Sequence, residues 1–316
     1  MTPLALSALL APATVAVAVA CGGVVIALTG WLLLRPWWFT GIGARTRASL
    51  LAQARLAPLS LTLLALPLVQ LAFWRFEPAA HQEVPGLVLP LLAVAGLGVL
   101  GTVMVRGWRA LAATREVARA WRTTAIAGTV PGWRGRAWVV ETAFPVVAVV
   151  GVRRPDLYVS ADVLGACSAA ELAAISAHEH AHVAARDNLM RVLFALAPAA
   201  GWAAARVEEA WASTVEEAAD LGARAAGDGV TLARALTTVA RLSLGTAAAP
   251  PLAMSAFIGG DSLEARVRRL LEPARPAGPA CAGLTAGALA TLVVAVVVWG
   301  LPAVYAAAEA LVRLGR

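Results

Sequence analysis

The chain has 316 residues, of which 60% are hydrophobic and only 14% charged, with a formal net charge of +7. Soluble globular domains carry about a quarter charged residues, so this balance, with a mean hydropathy of +0.75, excludes an ordinary soluble protein. The charge does not require a nucleic acid partner: there is no lysine, the arginines flank apolar stretches where they meet anionic headgroups, and no nucleic-acid-binding motif accompanies them.

In chain order, the first uncharged run covers 1–34, with its spanning part starting near Ala11. The run before Cys21 resembles a signal-peptide end. A positive n-region is missing, however, and the apolar stretch continues past Cys21, so it reads as a retained span. Runs at 56–74 and 84–105 follow, and a fourth lies at 280–301; each is close to the roughly 20 apolar residues a bilayer requires. A fifth apolar stretch, 192–205, is interrupted by Pro198 and Gly201 and is too short to cross. It reads as a buried helix or an interfacial element, with Trp202 suited to the headgroup level.

Arginine placement sets the expected orientation. Arg35, Arg45, Arg47 and Arg55 follow the first span, Arg106, Arg109, Arg115, Arg119 and Arg122 follow the third, and Arg266, Arg268, Arg269 and Arg275 precede the fourth. The loop after the second span mixes Arg75 with Glu77, His81 and Glu83. The positive-inside rule then puts residues 123–276 in the cytoplasm and both termini outside, in a multi-pass protein of the cell membrane. The segment from Arg106 to Arg122, with Trp108 and Trp121, reads as a basic helix along the inner membrane surface. Three domains are therefore expected: 1–122 with three spans and the basic helix, a cytoplasmic domain at 123–276, and 277–316 with the fourth span and a short tail.

The cytoplasmic domain begins with three short strands, 137–141, 146–152 and 157–160, separated by Gly and Pro. The last is expected at a sheet edge, where an extended peptide can add by backbone hydrogen bonds. Ser168-Ala169-Ala170-Glu171 reads as a capping box, after which a helix continues without Gly or Pro to Arg186. That helix holds His178-Glu179-His180-Ala181-His182, three of the chain's four histidines. The pattern HExxH is a zinc-peptidase signature: residues four apart share a helix face, so His178 and His182 can grip one ion, while Glu179 is placed as general base. His180, roughly 200° round the helix from His178, should not be a ligand.

A third ligand is expected about thirty residues downstream, in Val215-Glu216-Glu217-Ala218-Ala219-Asp220. Glu216 is favoured over Glu217 because it shares a helix face with Asp220, which can accept the free N–H of a ligand histidine. Further helices are expected at 231–244 and 262–271. Cys21, Cys167 and Cys281 have no CxxC partner, so neither a disulfide framework nor a cysteine metal site is supported.

HExxH followed by ExxxD on another helix resembles the gluzincin-type membrane peptidases. Two branches are similar: the CAAX-prenyl and heat-shock membrane proteases, and the BlaR/MecR-type regulatory metallopeptidases. The resemblance is closer to the BlaR/MecR branch. Asp187 stands five residues past His182, where that group carries an Asp; the approach Val149–Ser160 and the segment Leu263–Leu271 also resemble it. The resemblance covers about 140–272 plus the membrane layout, which in that group places the peptidase between spans three and four. BlaR-type receptors carry an outward ligand-binding domain after the last span, whereas this sequence stops shortly after Leu301, so any signal is expected through the spans, short loops or a partner.

The expected fold is thus a multi-span α-helical membrane protein with an α+β zincin-like metallopeptidase domain between spans three and four. The expected activity is zinc-dependent endopeptidase hydrolysis of a cytoplasmic or membrane-proximal protein, with a transcriptional repressor as the example the resemblance suggests. His178, His182 and Glu216 would hold Zn2+ and Glu179 would act as base. Asp220 would orient a ligand histidine, Arg266 would reach the site as a transition-state or packing residue, and Asp187 would support the site or cap the next helix. A quality-control or CAAX-type protease is the alternative, and a non-catalytic membrane sensor the other class. The intact Glu179 argues against the sensor.

Overall fold

A computed structural model describes residues 2–33, 42–77, 84–142, 144–198, 201–243, 255–256, 263–272 and 301–314. Three long helices come first: α1 (Pro3–Leu33), α2 (Ala44–Phe76) and α3 (Val88–Thr124). All three are long and apolar enough to cross a membrane. Their outward faces carry Leu63, Leu91, Val94, Leu97 and Met104, side chains that hydrocarbon solvates without cost. The expected fourth span, with Cys281 and Arg275, lies outside the described residues, as do Arg35, His81 and Glu83.

Small residues let the three helices approach closely. A Cβ on Gly22 would fall 2.4 Å from the Pro58 Cα, and one on Gly96 would fall 1.8 Å from the Pro12 carbonyl oxygen. Only glycine permits such backbone contact, the device by which helices pack where no hydrophobic effect drives them together. At the far end of the bundle, Leu6, Leu10, Phe73 and Leu89 pack with Ala308 and Val312 of a last helix, α10 (Leu301–Arg313). Tyr305 there donates to Glu77 at 2.9 Å.

The second region is a mixed sheet with helices. Strands β1 (Ile126–Gly128), β2 (Ala137–Val140), β3 (Val147–Val150), β4 (Asp156–Ser160) and β5 (Ser255–Ala256) lie in the order β1-β2-β4-β3-β5. β2 and β4 run parallel, and the other pairs antiparallel. β4, expected at an edge, is central. All five of its residues are buried, because Leu157 and Val159 face the helical core while Tyr158 packs under Trp121. The outer side of β3 is covered too: Asn188 donates to the Val149 and Gly151 carbonyls at 2.9 and 3.1 Å, and β5 pairs with Ala148 and Val149.

The helices are α4 (Ala161–Ala166), α5 (Ala169–Ala185), α6 (Asp187–Leu196), α7 (Gly201–Ala226), α8 (Gly229–Ser243) and α9 (Leu263–Leu271). The interrupted stretch at 192–205 is divided between α6 and α7. Phe194, Ala203, Ala204, Val207, Trp211 and Val215 from these two helices form one core with Ile26 of α1 and Ala48, Leu51 and Ala52 of α2. α3 also differs from expectation. It does not turn along the membrane surface after Arg106 but runs on unbroken to Thr124, a rod of about 55 Å. Trp121 near its end is buried against Tyr158, so the basic segment is a strut into the sheet.

Candidate metal centre

α5 begins as the sequence implies. The Ser168 side chain accepts from the Glu171 N–H, and the Glu171 carboxylate accepts from the Ser168 N–H at 2.7 Å. The helix ends at Arg186, in the left-handed conformation with φ 58°, which starts α6 in a new direction and folds Asp187 back onto His182. α7 brings Glu216 and Asp220 to the same place on one face, four residues apart. His178, Glu179, His182, Asp187, Glu216, Asp220 and Arg266 are all buried.

The Nδ1 of His182 lies 2.7 Å from the Asp187 Oδ2, and the Nδ1 of His178 lies 3.0 Å from the Asp220 Oδ1. Carboxylates only accept, so each ring keeps its Nδ1 hydrogen and turns Nε2 inward. The two Nε2 atoms face each other across 3.1 Å. Each also lies 3.5 Å from a Glu216 oxygen. Two lone pairs facing one another that closely require a positive charge between them, carried by a proton or a metal ion. A tetrahedral ion with bonds of about 2.0–2.1 Å to nitrogen separates its ligand atoms by about 3.3 Å, close to the spacings seen. Donor set, spacing and charge therefore fit a divalent metal held by His178, His182 and Glu216.

Electrostatics agree. Burial opposes charge on His178, but Asp220 and Glu216 beside it outweigh this and lift its pKa to about 9. Burial likewise works against the Asp220 and Glu216 carboxylates. His178 and Arg266 overcome it, holding Glu216 below its ordinary value and Asp220 at about 2. Glu179 is different. Burial pushes its pKa up to about 7 against the lowering effect of the two histidines, and neither oxygen has a hydrogen-bond partner among the described residues. A buried carboxylate with free lone pairs and a pKa near neutrality suits proton transfer.

Arg266, on α9, donates to both Asp220 oxygens at 2.9 and 2.7 Å and lies 3.3 Å from Glu216. It therefore ties the third candidate ligand to the acid behind His178. Glu217 points away and pairs with Arg47. His180 also points away: its Nδ1 lies 2.7 Å from the Ser176 carbonyl and its ring packs on Trp133 at 4.3 Å. Asp187 is the first residue of α6, whose N-cap is Arg186. Burial and the nearby Glu171 push the Cys167 thiol up to about 11, too high for a thiolate nucleophile.

Sequence reasoning misses Arg45. By sequence it is only a topology signal, yet from α2 its guanidinium lies 3.7 Å from Asp187 and donates to the Ala181 carbonyl at 3.4 Å. Nothing local in the sequence marks that contact, which arises from tertiary docking of α2.

Residues 147–247 match the model of Peptidase family M48. The match runs from β3 through α8 and contains His178, Glu179, His182, Glu216 and Asp220, while Arg266 and the long helices fall outside it. Peptidases of this family are metal-dependent, so the match supports metalloprotease activity, and His178, His182 and Glu216 are close enough together that they could bind a metal. A comparison with curated proteins gives no significant match.

Proposed function

We propose that this chain is a membrane-embedded zinc endopeptidase that cleaves a cytoplasmic or membrane-proximal protein in regulated proteolysis. The observation that carries the reading is the convergence of His178, His182 and Glu216 on one point, beside a buried Glu179 with no hydrogen-bond partner of its own among the described residues. Zinc fits the borderline-soft nitrogen and oxygen donor set. When bound it supplies Lewis acidity, polarising the scissile carbonyl and making water acidic enough to attack near neutral pH. With the ion bound, Glu179 would take the proton from the attacking water and deliver it to the leaving amine, a role that its burial and its unpartnered oxygens suit. Asp220 and Asp187 hold the imidazoles in the tautomer that presents Nε2, and Arg266 keeps Asp220 and Glu216 in register.

The regulatory role is supported by the BlaR/MecR-like Asp187 and by the direct packing of the long helices on α6 and α7, which joins the peptidase region to the membrane. Orientation with the site on the cytoplasmic side follows from the arginines at the α2 start and after the third apolar run. The test is cleavage of an unstructured reporter protein by the full chain in detergent, with and without chelator, for wild type and Glu179→Gln. Wild-type cleavage should be abolished by chelation and restored by Zn2+. Glu179→Gln should retain Zn2+ and lose about 10²–10⁴-fold in kcat. Equal activity in the two proteins defeats the mechanism.

A further inference from the structure

The helix α2 is docked along α7 in antiparallel fashion. Ala44, Ala48, Leu51, Ala52 and Arg55 form its buried stripe, facing Val207, Trp211 and Val215. An ion pair closes each end of this seam: Arg55 with Glu208 at 2.5 Å, and Arg47 with Glu217. Arg55 is fully buried and also donates to the Phe194, Ala197 and Pro198 carbonyls at the end of α6. The position of the α2 start relative to α6 and α7 is therefore fixed at several points.

Arg45 stands where this seam reaches α5 and α6. Arginines in a helix's first turn oppose its macrodipole, so their own helix does not favour Arg45 and Arg47 there. The positive-inside rule accounts for their charge but not for the direction in which they reach. Arg45 reaches the last turn of α5 through Ala181 and the buried carboxylate of Asp187, the same carboxylate that accepts from His182. The arrangement repeats the one behind His178, where Asp220 is gripped by Arg266.

We propose that Arg45 is a positioning residue of the metal centre: by holding Asp187 it fixes His182, so the seating of the second apolar helix on α7 sets the geometry of one metal ligand. The inference rests on the metal-site reading given above. It makes the membrane-borne segment part of the site, and a movement of α2 that lifts its first turn loosens one ligand while leaving His178 and Glu216 in place.

The test uses the full chain in detergent, with Zn2+ affinity read by competition with a chromophoric chelator and Co2+ absorption as a signature of ligand geometry. Arg45→Gln should weaken Zn2+ by about 3- to 10-fold, less than the loss for a residue that touches the ligand itself, and should alter the Co2+ spectrum. Arg45→Lys, which keeps a point charge near Asp187, should recover most of the affinity. Arg47→Gln removes the neighbouring ion pair only and should stay within about twofold. Melting of the chelated proteins reads folding separately. Arg45→Gln binding Zn2+ within about twofold of wild type overturns the inference, as does an equal loss in Arg47→Gln, which would leave Arg45 no part of its own in fixing His182. If wild type takes up no Zn2+, the metal-site reading falls and this inference with it.

Discussion

Two buried imidazoles meet between α5 and α7, and each is backed by a carboxylate and an arginine, but the two lines of support are built differently. Behind His178, Asp220 and Arg266 are both buried and joined by two hydrogen bonds. Both come from the helices that follow the sheet, Asp220 from α7 and Arg266 from α9. Behind His182, Asp187 is buried, but its arginine comes from α2, is 46% exposed, and sits at 3.7 Å. A buried bidentate pair in low dielectric is strong and geometrically fixed. A half-exposed, longer contact is screened and can open. On the proposed metal site, the difference implies a division of labour, in which one candidate ligand would belong to the folded core and the other would depend on how the core sits on the long apolar helices.

The comparison is tested most severely by removing the two carboxylates in turn. Asp220→Ala leaves Arg266 buried without its bidentate partner, a kind of loss that costs about 3–5 kcal/mol. The expected outcome is a chelated protein that melts far below wild type or fails to accumulate, with Zn2+ affinity reduced by about 10–100-fold in whatever folds. If Asp220→Ala left melting unchanged, the buried relay would have no structural weight and the contrast would collapse.

Much of this is legible in the sequence, for a physical reason. His178, Glu179 and His182, and likewise Glu216 and Asp220, are related by helical spacing within one element, and period alone places them together. The capping box at Ser168 and Glu171 is local in the same way. What the sequence does not show is long-range. β4 is central rather than at an edge because β2 pairs with it across the whole β3 hairpin, a choice that no residue of β4 announces. α3 continues past Arg106 because Trp121 finds a partner in Tyr158, thirty-odd residues on. Arg45 looks like any arginine beside a span, since its meaning lies 142 residues away at Asp187.

Acidity offers another way to sharpen the contrast in the metal-free protein. His178 has its pKa raised to about 9, so its contribution to stability is complete below its unfolded value of about 6.5 and is lost as pH rises through 9. Glu179, raised to about 7, is an acid that folding keeps protonated, so it too makes the fold less stable as pH rises from about 4.5 to 7. Asp220, held at about 2, contributes above its unfolded value of about 3.9 and is lost as pH falls towards 2. Chelated protein should therefore melt highest in mildly acidic buffer and progressively lower up to about pH 9. Zn2+ should flatten the alkaline part, because an ion between the two Nε2 atoms replaces the proton. A melting temperature independent of pH between about 6 and 9 without metal would contradict the cation-seeking character of the site.

Of the two carboxylates, the smaller loss of stability, and the more discriminating one, is expected at Asp187. Asp187→Ala removes the acceptor of the His182 N–H and the partner of Arg45. His182 is left with a buried donor, which costs about 1–3 kcal/mol, but Arg45, already half in water, turns to solvent at little further cost. Zn2+ affinity should still fall by about 10–100-fold, because the imidazole loses the group that fixes its tautomer. The two carboxylate variants should thus resemble each other in metal binding and differ clearly in chelated melting, with Asp187→Ala the milder. Equal melting losses would mean that Arg45 is as firmly held as Arg266, and that α2 belongs to the rigid core of the site instead of resting against it.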